Sequence, residues 1–175
     1  MPSEKFVAAL NGQVGNEFGA SQQYVAVAVF YDDQTLPRLA AFFYAQALEE
    51  RNHAMMMIQY LLDSGEQVEI PGVSAPKGAF ADIVEPIRIA HQQEQKVTNQ
   101  ISGLAAMARE EGDLASEQFM QWFLKEQVEE VATMSDLLRV VERSHDDPME
   151  IENYIAREHP AAEGDDPTAP HAAGA

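Results

Sequence analysis

Cysteine is absent from all 175 residues, which excludes disulfides, zinc ribbons and thiolate-held iron–sulfur clusters. Positive charge is scarce: 11 Lys and Arg stand against 29 Asp and Glu, a formal net charge of −18. Such a surface repels phosphate backbones and attracts cations, so no nucleic-acid partner is expected. No apolar run approaches the ~20 residues of a membrane span. The longest, around Tyr24 to Tyr31, is far shorter. Nor does Met1-Pro2-Ser3-Glu4-Lys5 lead into an apolar signal core, so the expectation is a soluble cytoplasmic protein with no membrane partner. What the chain does have is 46% hydrophobic and 23% charged residues, enough for one domain with a real core.

Periodicity and punctuation predict an all-α protein. A first helix is expected from about Ser3 to Tyr31 and a second from Pro37 to about Ser64, with proline in its first turn and Gly65 as its stop. Residues 66–81 are rich in Gly and Pro and cannot be helical. A third helix is expected from near Asp82 to Gly112, and a fourth, capped by Asp113, to about Ser144. Asp147-Pro148-Met149-Glu150 has the form of a capping box, so a short fifth helix should run to about Glu158. Residues 1–159 then form the domain, and 160–175 read as a disordered, solvated tail.

Loop length sets the topology. The first and third connections span only a few residues, so each joins an antiparallel hairpin. The middle connection, roughly 17 residues, can reach ~56 Å, more than the ~42 Å length of the second helix. The second and third helices should therefore run parallel, joined by one long crossover along a four-helix bundle.

Heptad spacing then exposes an anomaly. The stripe Ile83, Ile87, Ala90, Glu94, Val97, Ile101, Leu104 is apolar except at Glu94. Polar residues interrupt the other three stripes too: Glu17 in the first helix, Glu50 and His53 in the second, Gln127 and Glu130 in the fourth. Glu17 lies 17 residues before position 34, while Glu50 and His53 lie 16 and 19 after it. Glu94 lies 18 before Gly112, and Gln127 and Glu130 lie 15 and 18 after it. At ~1.5 Å per residue all six share one depth. Four buried carboxylates need a counter-charge, and no Lys or Arg stands in these stripes at that level. Metal ions answer the need, and carboxylates with one imidazole favour iron or manganese. A buried polar network that only fixes the bundle's register is the alternative.

Glu17 with Tyr24, Glu50-Arg51-Asn52-His53, Glu94, and Gln127 with Glu129-Glu130 resemble the ferroxidase centre of non-haem bacterial ferritins, in wording close to the actinobacterial branch. The resemblance covers about residues 5 to 158. It implies a ferritin-like four-helix bundle with one long crossover and a short fifth helix. It also implies that Glu17, Glu50 and His53 hold one iron, with Glu50 bridging to a second held by Glu94 and Glu130, and Gln127 nearby. Glu49, Glu126 and Glu129 would join Glu130 in a third, weaker site. Tyr24 would hydrogen-bond a ligand or supply an electron, and Glu117 would sit at an iron entrance.

The activity so implied is oxidation of Fe(II) by dioxygen or hydrogen peroxide, with storage of the product in a homo-oligomeric cage of 24 subunits, about 460 kDa from 19.3 kDa chains. Release of that iron implies a separate reductase as a partner. Haem is not expected, because Arg51 stands where haem-binding relatives carry methionine. The fourth helix has Gln127-Val128-Glu129-Glu130 in place of a second E-x-x-H pair, so the second iron should be held less tightly.

Overall fold

The computed structural model describes residues 2–160 and 166–174. Five helices follow in order: α1 (Glu4–Asp33), α2 (Pro37–Asp63), α3 (Glu85–Glu110), α4 (Leu114–Ser144) and α5 (Pro148–Glu158). Their starts show local causes. Ser3 caps α1, its hydroxyl accepting from Phe6 N at 3.1 Å, and Asp113 caps α4, accepting from Ser116 N at 3.2 Å. Gly65 and Gly112 stop α2 and α3 with φ of 74° and 70°, a conformation that costs a residue with a Cβ far more.

Two starts differ from expectation. The third helix begins at Glu85, because Asp82 instead takes the amides of Val84 and Glu85 on its own carboxylate, at 2.9 and 2.8 Å. The capping box before α5 does not form either: no side chain caps that helix, and Glu150 N bonds the Asp147 carbonyl at 3.1 Å. Leu36 cannot cap α2, and Glu152 of α5 replaces it. The Glu152 carboxylate accepts from Arg38 N and Leu39 N at 2.9 and 3.0 Å, which ties α5 to the positive end of α2.

Contacts between the helices give their directions. Gln13 meets Gln100 and Tyr31 meets Ile83, so α1 and α3 are antiparallel. Ser21 meets Ala47 and Asp32 meets Tyr44, so α1 and α2 are antiparallel as well. Helices α2 and α3 are therefore parallel, as the length of the crossover requires. Asn11 and Gln23 pin that crossover along α1, each amide bonding the backbone twice, at Gln67 and Glu69 and at Lys77. Between them Pro71 presses on Gly15, where a Cβ would stand 2.7 Å from the proline ring.

The core comes in two parts. One apolar cluster holds Tyr24, Phe43, Ala47, Ala90 and Met134; the other holds Val14, Ala54, Val97 and Phe123. The gap between them falls at one level on all four long helices. Residues 166–174, within the stretch that composition reads as a disordered tail, touch α2 and α4, with Pro167, Thr168, His171 and Gly174 exposed. Asp166 accepts from Trp122 Nε1 at 3.2 Å and pairs with Lys125 at 3.3 Å, and Ala173 N donates to the Met55 carbonyl at 3.0 Å. The rest of that expectation, at 161–165 and 175, lies outside the described residues.

Candidate metal centre

The gap between the two apolar clusters is filled by Glu17, Glu50, His53, Glu94, Gln127 and Glu130, each at most 6% exposed. The 3.6-residue period that turns Val14 and Tyr24 inward turns Glu17 inward between them, and the same holds for Glu50, Glu94 and Glu130 on their own helices. One ligand atom from each of Glu17, Glu50 and His53 lies within 4.8 Å of the others. Glu49, Glu126 and Glu130 form a second such group, in which Glu49 and Glu126 are half-buried. Glu129, expected in that group, is exposed and stands outside both.

Hydrogen bonds fix most of the acid oxygens. Tyr24 donates its phenolic proton to Glu94 Oε1, and Gln127 Nε2 lies 3.3 Å from Glu94 Oε2. The Thr98 hydroxyl lies 2.8 Å from Gln127 Oε1. Gln127 therefore turns its nitrogen inward and supports Glu94, beside the second metal position that the resemblance implies. Gln46 Nε2 lies 2.9 Å from Glu49 and 3.5 Å from Glu130 Oε1. Gln13 Nε2 donates to Glu17 Oε1 at 2.7 Å. Two oxygens have no protein partner at all: Glu17 Oε2 and Glu130 Oε2.

That shortage is an electrostatic problem. Burial pushes the Glu17 carboxyl up to about 7, against the opposing hydrogen bond from Gln13. Burial also drives Glu50 and Glu130 well above the usual carboxylate range, with neighbouring carboxylates adding to it, and it raises Glu94. Burial lowers His53 to about 4, so its imidazole is neutral and able to bind a metal. Its Nδ1 lies 3.3 Å from Glu50 Oε2, and Trp122 and Phe123 hold the ring edge-on at 5.7 and 5.6 Å. No Lys or Arg is buried among the described residues. The donor set fits a divalent cation held by hard oxygens and one imidazole.

Glu117 is paired with Arg109 at 2.7 Å, which neutralises the acid expected at an iron entrance. Met57 is core, with Met55 and Met56 packed beside it. Sequence reasoning passed over Gln13, Gln46 and Thr98. A signal for the glutamines existed: Gln13 and Gln46 stand four residues before Glu17 and Glu50, one turn away on the same face. Among the described residues no helix is long and apolar enough to cross a membrane.

Comparison with known proteins bears on the family and the fold. A family model described as a ferritin-like domain matches residues 7–144. The chain is 56% identical to ferritin BfrB of Mycolicibacterium smegmatis over 170 residues, 97% of this chain and 93% of that protein. It is 38% identical to a bacterial non-heme ferritin of Staphylococcus aureus, covering 84% of this chain and 89% of that one. Among solved structures, an open-pore ferritin of the archaeon Archaeoglobus fulgidus superimposes with a TM-score of 0.87 at 28% identity, covering 93% of this chain and all of that one.

Proposed function

Because the chain belongs to the ferritin family, we propose that it binds ferrous iron between its four long helices, oxidises it, and stores the ferric product inside a closed shell of identical copies. The observation that carries this reading is the pair of buried, unpartnered oxygens, Glu17 Oε2 and Glu130 Oε2, in a layer with four buried carboxyls and no buried cation. Ionised carboxylates in that setting cost several kcal/mol each unless a cation arrives. Iron is that cation, and here it is the substrate.

Glu17 and His53 hold one iron, Glu94 and Glu130 the other, and Glu50 stands between them. Two Fe(II) release two electrons, which reduce dioxygen to hydrogen peroxide or hydrogen peroxide to water. The protein's part is to neutralise charge and set the distance between the ions. Glu49 and Glu126, with Glu130, offer iron a more open position next to the pair. Tyr24 and Gln127 steady Glu94 meanwhile.

Assembly has its own support. Val25, Val29, Leu48 and Ile70 are 43%, 53%, 63% and 66% exposed, apolar surface that neighbouring copies in a shell would cover. We take 24 copies in the cytoplasm as the functional form, with iron released to a separate reductase.

The test is aerobic addition of Fe(II) with near-ultraviolet absorbance as the readout, for the parent and for Glu50→Ala and Glu94→Ala. The parent should oxidise iron rapidly and the variants at least about 100-fold more slowly. Equal rates would refute the assigned centre, and elution at the size of a dimer would refute the shell.

A further inference from the structure

We infer that Gln13 is a positioning residue of the metal centre: it ties down one oxygen of Glu17 and so decides which oxygen is offered to the metal. This rests on the metal-binding reading above. Gln13 lies on α1 one turn before Glu17 and is 3% exposed, so its amide must find partners inside the protein. Nε2 donates to Glu17 Oε1 at 2.7 Å and lies 3.4 Å from Gln100 Oε1. Oε1 accepts from Asn16 Nδ2 at 2.9 Å. Chemistry fixes that orientation. A carboxylate only accepts, and the reversed amide would set its carbonyl against Glu17 and its NH2 against the NH2 of Asn16.

The consequence falls on Glu17. With Oε1 held by Gln13, Oε2 is left as the buried oxygen with no hydrogen-bond partner among the described residues. The bond uses one lone pair of Oε1 and sets the rotation of the carboxylate, so Oε2 is the oxygen turned freely toward a metal. Glu94 differs, since Tyr24 and Gln127 each donate to one of its oxygens and so favour neither. Gln13 is thus the group that makes Glu17 directional. Asn16, exposed at the surface, keeps Gln13 turned the right way. A purely structural role, joining α1 to α3 through Gln100, would affect melting and leave the metal untouched.

Co(II) separates the two roles, because its visible absorption reports coordination geometry and its affinity is measurable by calorimetry without turnover. The assembled, metal-free parent should bind two Co(II) per subunit at this layer. Gln13→Met keeps the length and removes the amide. It should weaken Co(II) binding by about 10- to 100-fold, the usual cost of losing such a supporting group, and change the visible spectrum. Asn16→Ala, at the surface, should move both in the same direction by less. If Gln13→Met matches the parent in affinity and spectrum, the inference is overturned, whatever its melting temperature. Should that variant not fold, Asn16→Ala decides, and parental behaviour there overturns the inference equally. A parent that binds no Co(II) refutes instead the metal centre on which it rests.

Discussion

Glu49 and Glu50 are neighbours on α2, yet they serve two different acid groups. A helix turns ~100° per residue, so Glu50 enters the bundle beside Glu17 and His53, while Glu49 points to its edge beside Glu126. In the first group every member is at most 3% exposed; in the second only Glu130 is buried. The same chemistry therefore meets two dielectrics. At the edge, water already screens the charge, and a metal there is optional to the fold. In the interior nothing screens it, and a metal bound there would become part of the electrostatic balance of the folded state.

The comparison breaks most directly on ligand removal. Glu50→Gln or His53→Ala should lower the affinity for the first two Co(II) by more than about 100-fold, beyond the cost of losing a supporting residue. Glu49→Gln should leave those two within about threefold and abolish only a third, weaker equivalent. Calorimetric titration of metal-free protein counts both. If Glu49→Gln damages the tight sites as Glu50→Gln does, the two groups are one.

The pH dependence of the metal-free protein has a definite sign. Glu17 is ordinarily an acid of 4.5 and titrates near 7 in the fold, so its contribution to stability is full below 4.5 and is lost as pH rises through 7. Glu50, Glu94 and Glu130 are raised too and act in the same direction. His53, lowered from 6.5 to about 4, acts oppositely: its contribution is complete above 6.5 and lost as pH falls toward 4. Above pH 6.5 the acids alone remain. Scanning calorimetry should show the melting temperature of metal-free protein falling between pH 6.5 and 8.5, by about 3–8 °C. Co(II) should remove that slope. Glu50→Gln should flatten it and raise stability at pH 8.5 while abolishing tight binding, whereas Glu49→Gln, which relieves only the charge on Glu130, should reduce it less. A flat profile in the parent would mean that the buried acids are already neutralised.

A smaller effect follows from the same protonated carboxyls. At pH 6.5 a metal entering the layer must displace protons from them. A pH-stat should record at least about one proton released per subunit on adding two Co(II), and less as the pH rises. Release that does not depend on pH would place the protons elsewhere.

How much of this could be read in the residues depended on whether a feature repeats. The layer of buried acids was legible because the same interruption occurs at one depth on four helices, and the parallel pair because loop length bounds reach. Single contacts were not. Gln13 and Gln46 look like ordinary surface polarity until a partner helix covers them. Glu152 reads as one more acid on an exposed face, because nothing near it in the chain shows that Leu36 leaves the start of α2 uncapped. Asp147 has the spacing of a capping box, yet its side chain makes no cap. Residues 166–174 have the composition of a solvated tail. Composition cannot register that Trp122, half-buried on α4, needs an acceptor for its indole N–H and finds it in Asp166.

That last contact allows the mildest change to the comparison. Asp166 holds Lys125 at 3.3 Å, and Lys125 also feels Glu126 and Glu129. The Thr168 hydroxyl and amide keep the Asp166 carboxyl well below its ordinary range, so it is ionised throughout the working pH range. Asp166→Ala would free the ammonium to settle on Glu126, in the open acid group. The ion pair is exposed and salt-screened, so the third Co(II) should weaken by only about two- to threefold, and less in high salt. The two tight sites, which make no contact with Lys125, should not change. Trp122 emission should shift as its indole N–H loses Asp166, and that shift reports the displaced segment independently of metal. A loss at the tight sites equal to that at the open one would mean that the segment acts on His53 through the Trp122 ring, which meets it edge-on, and not through the charge of Lys125.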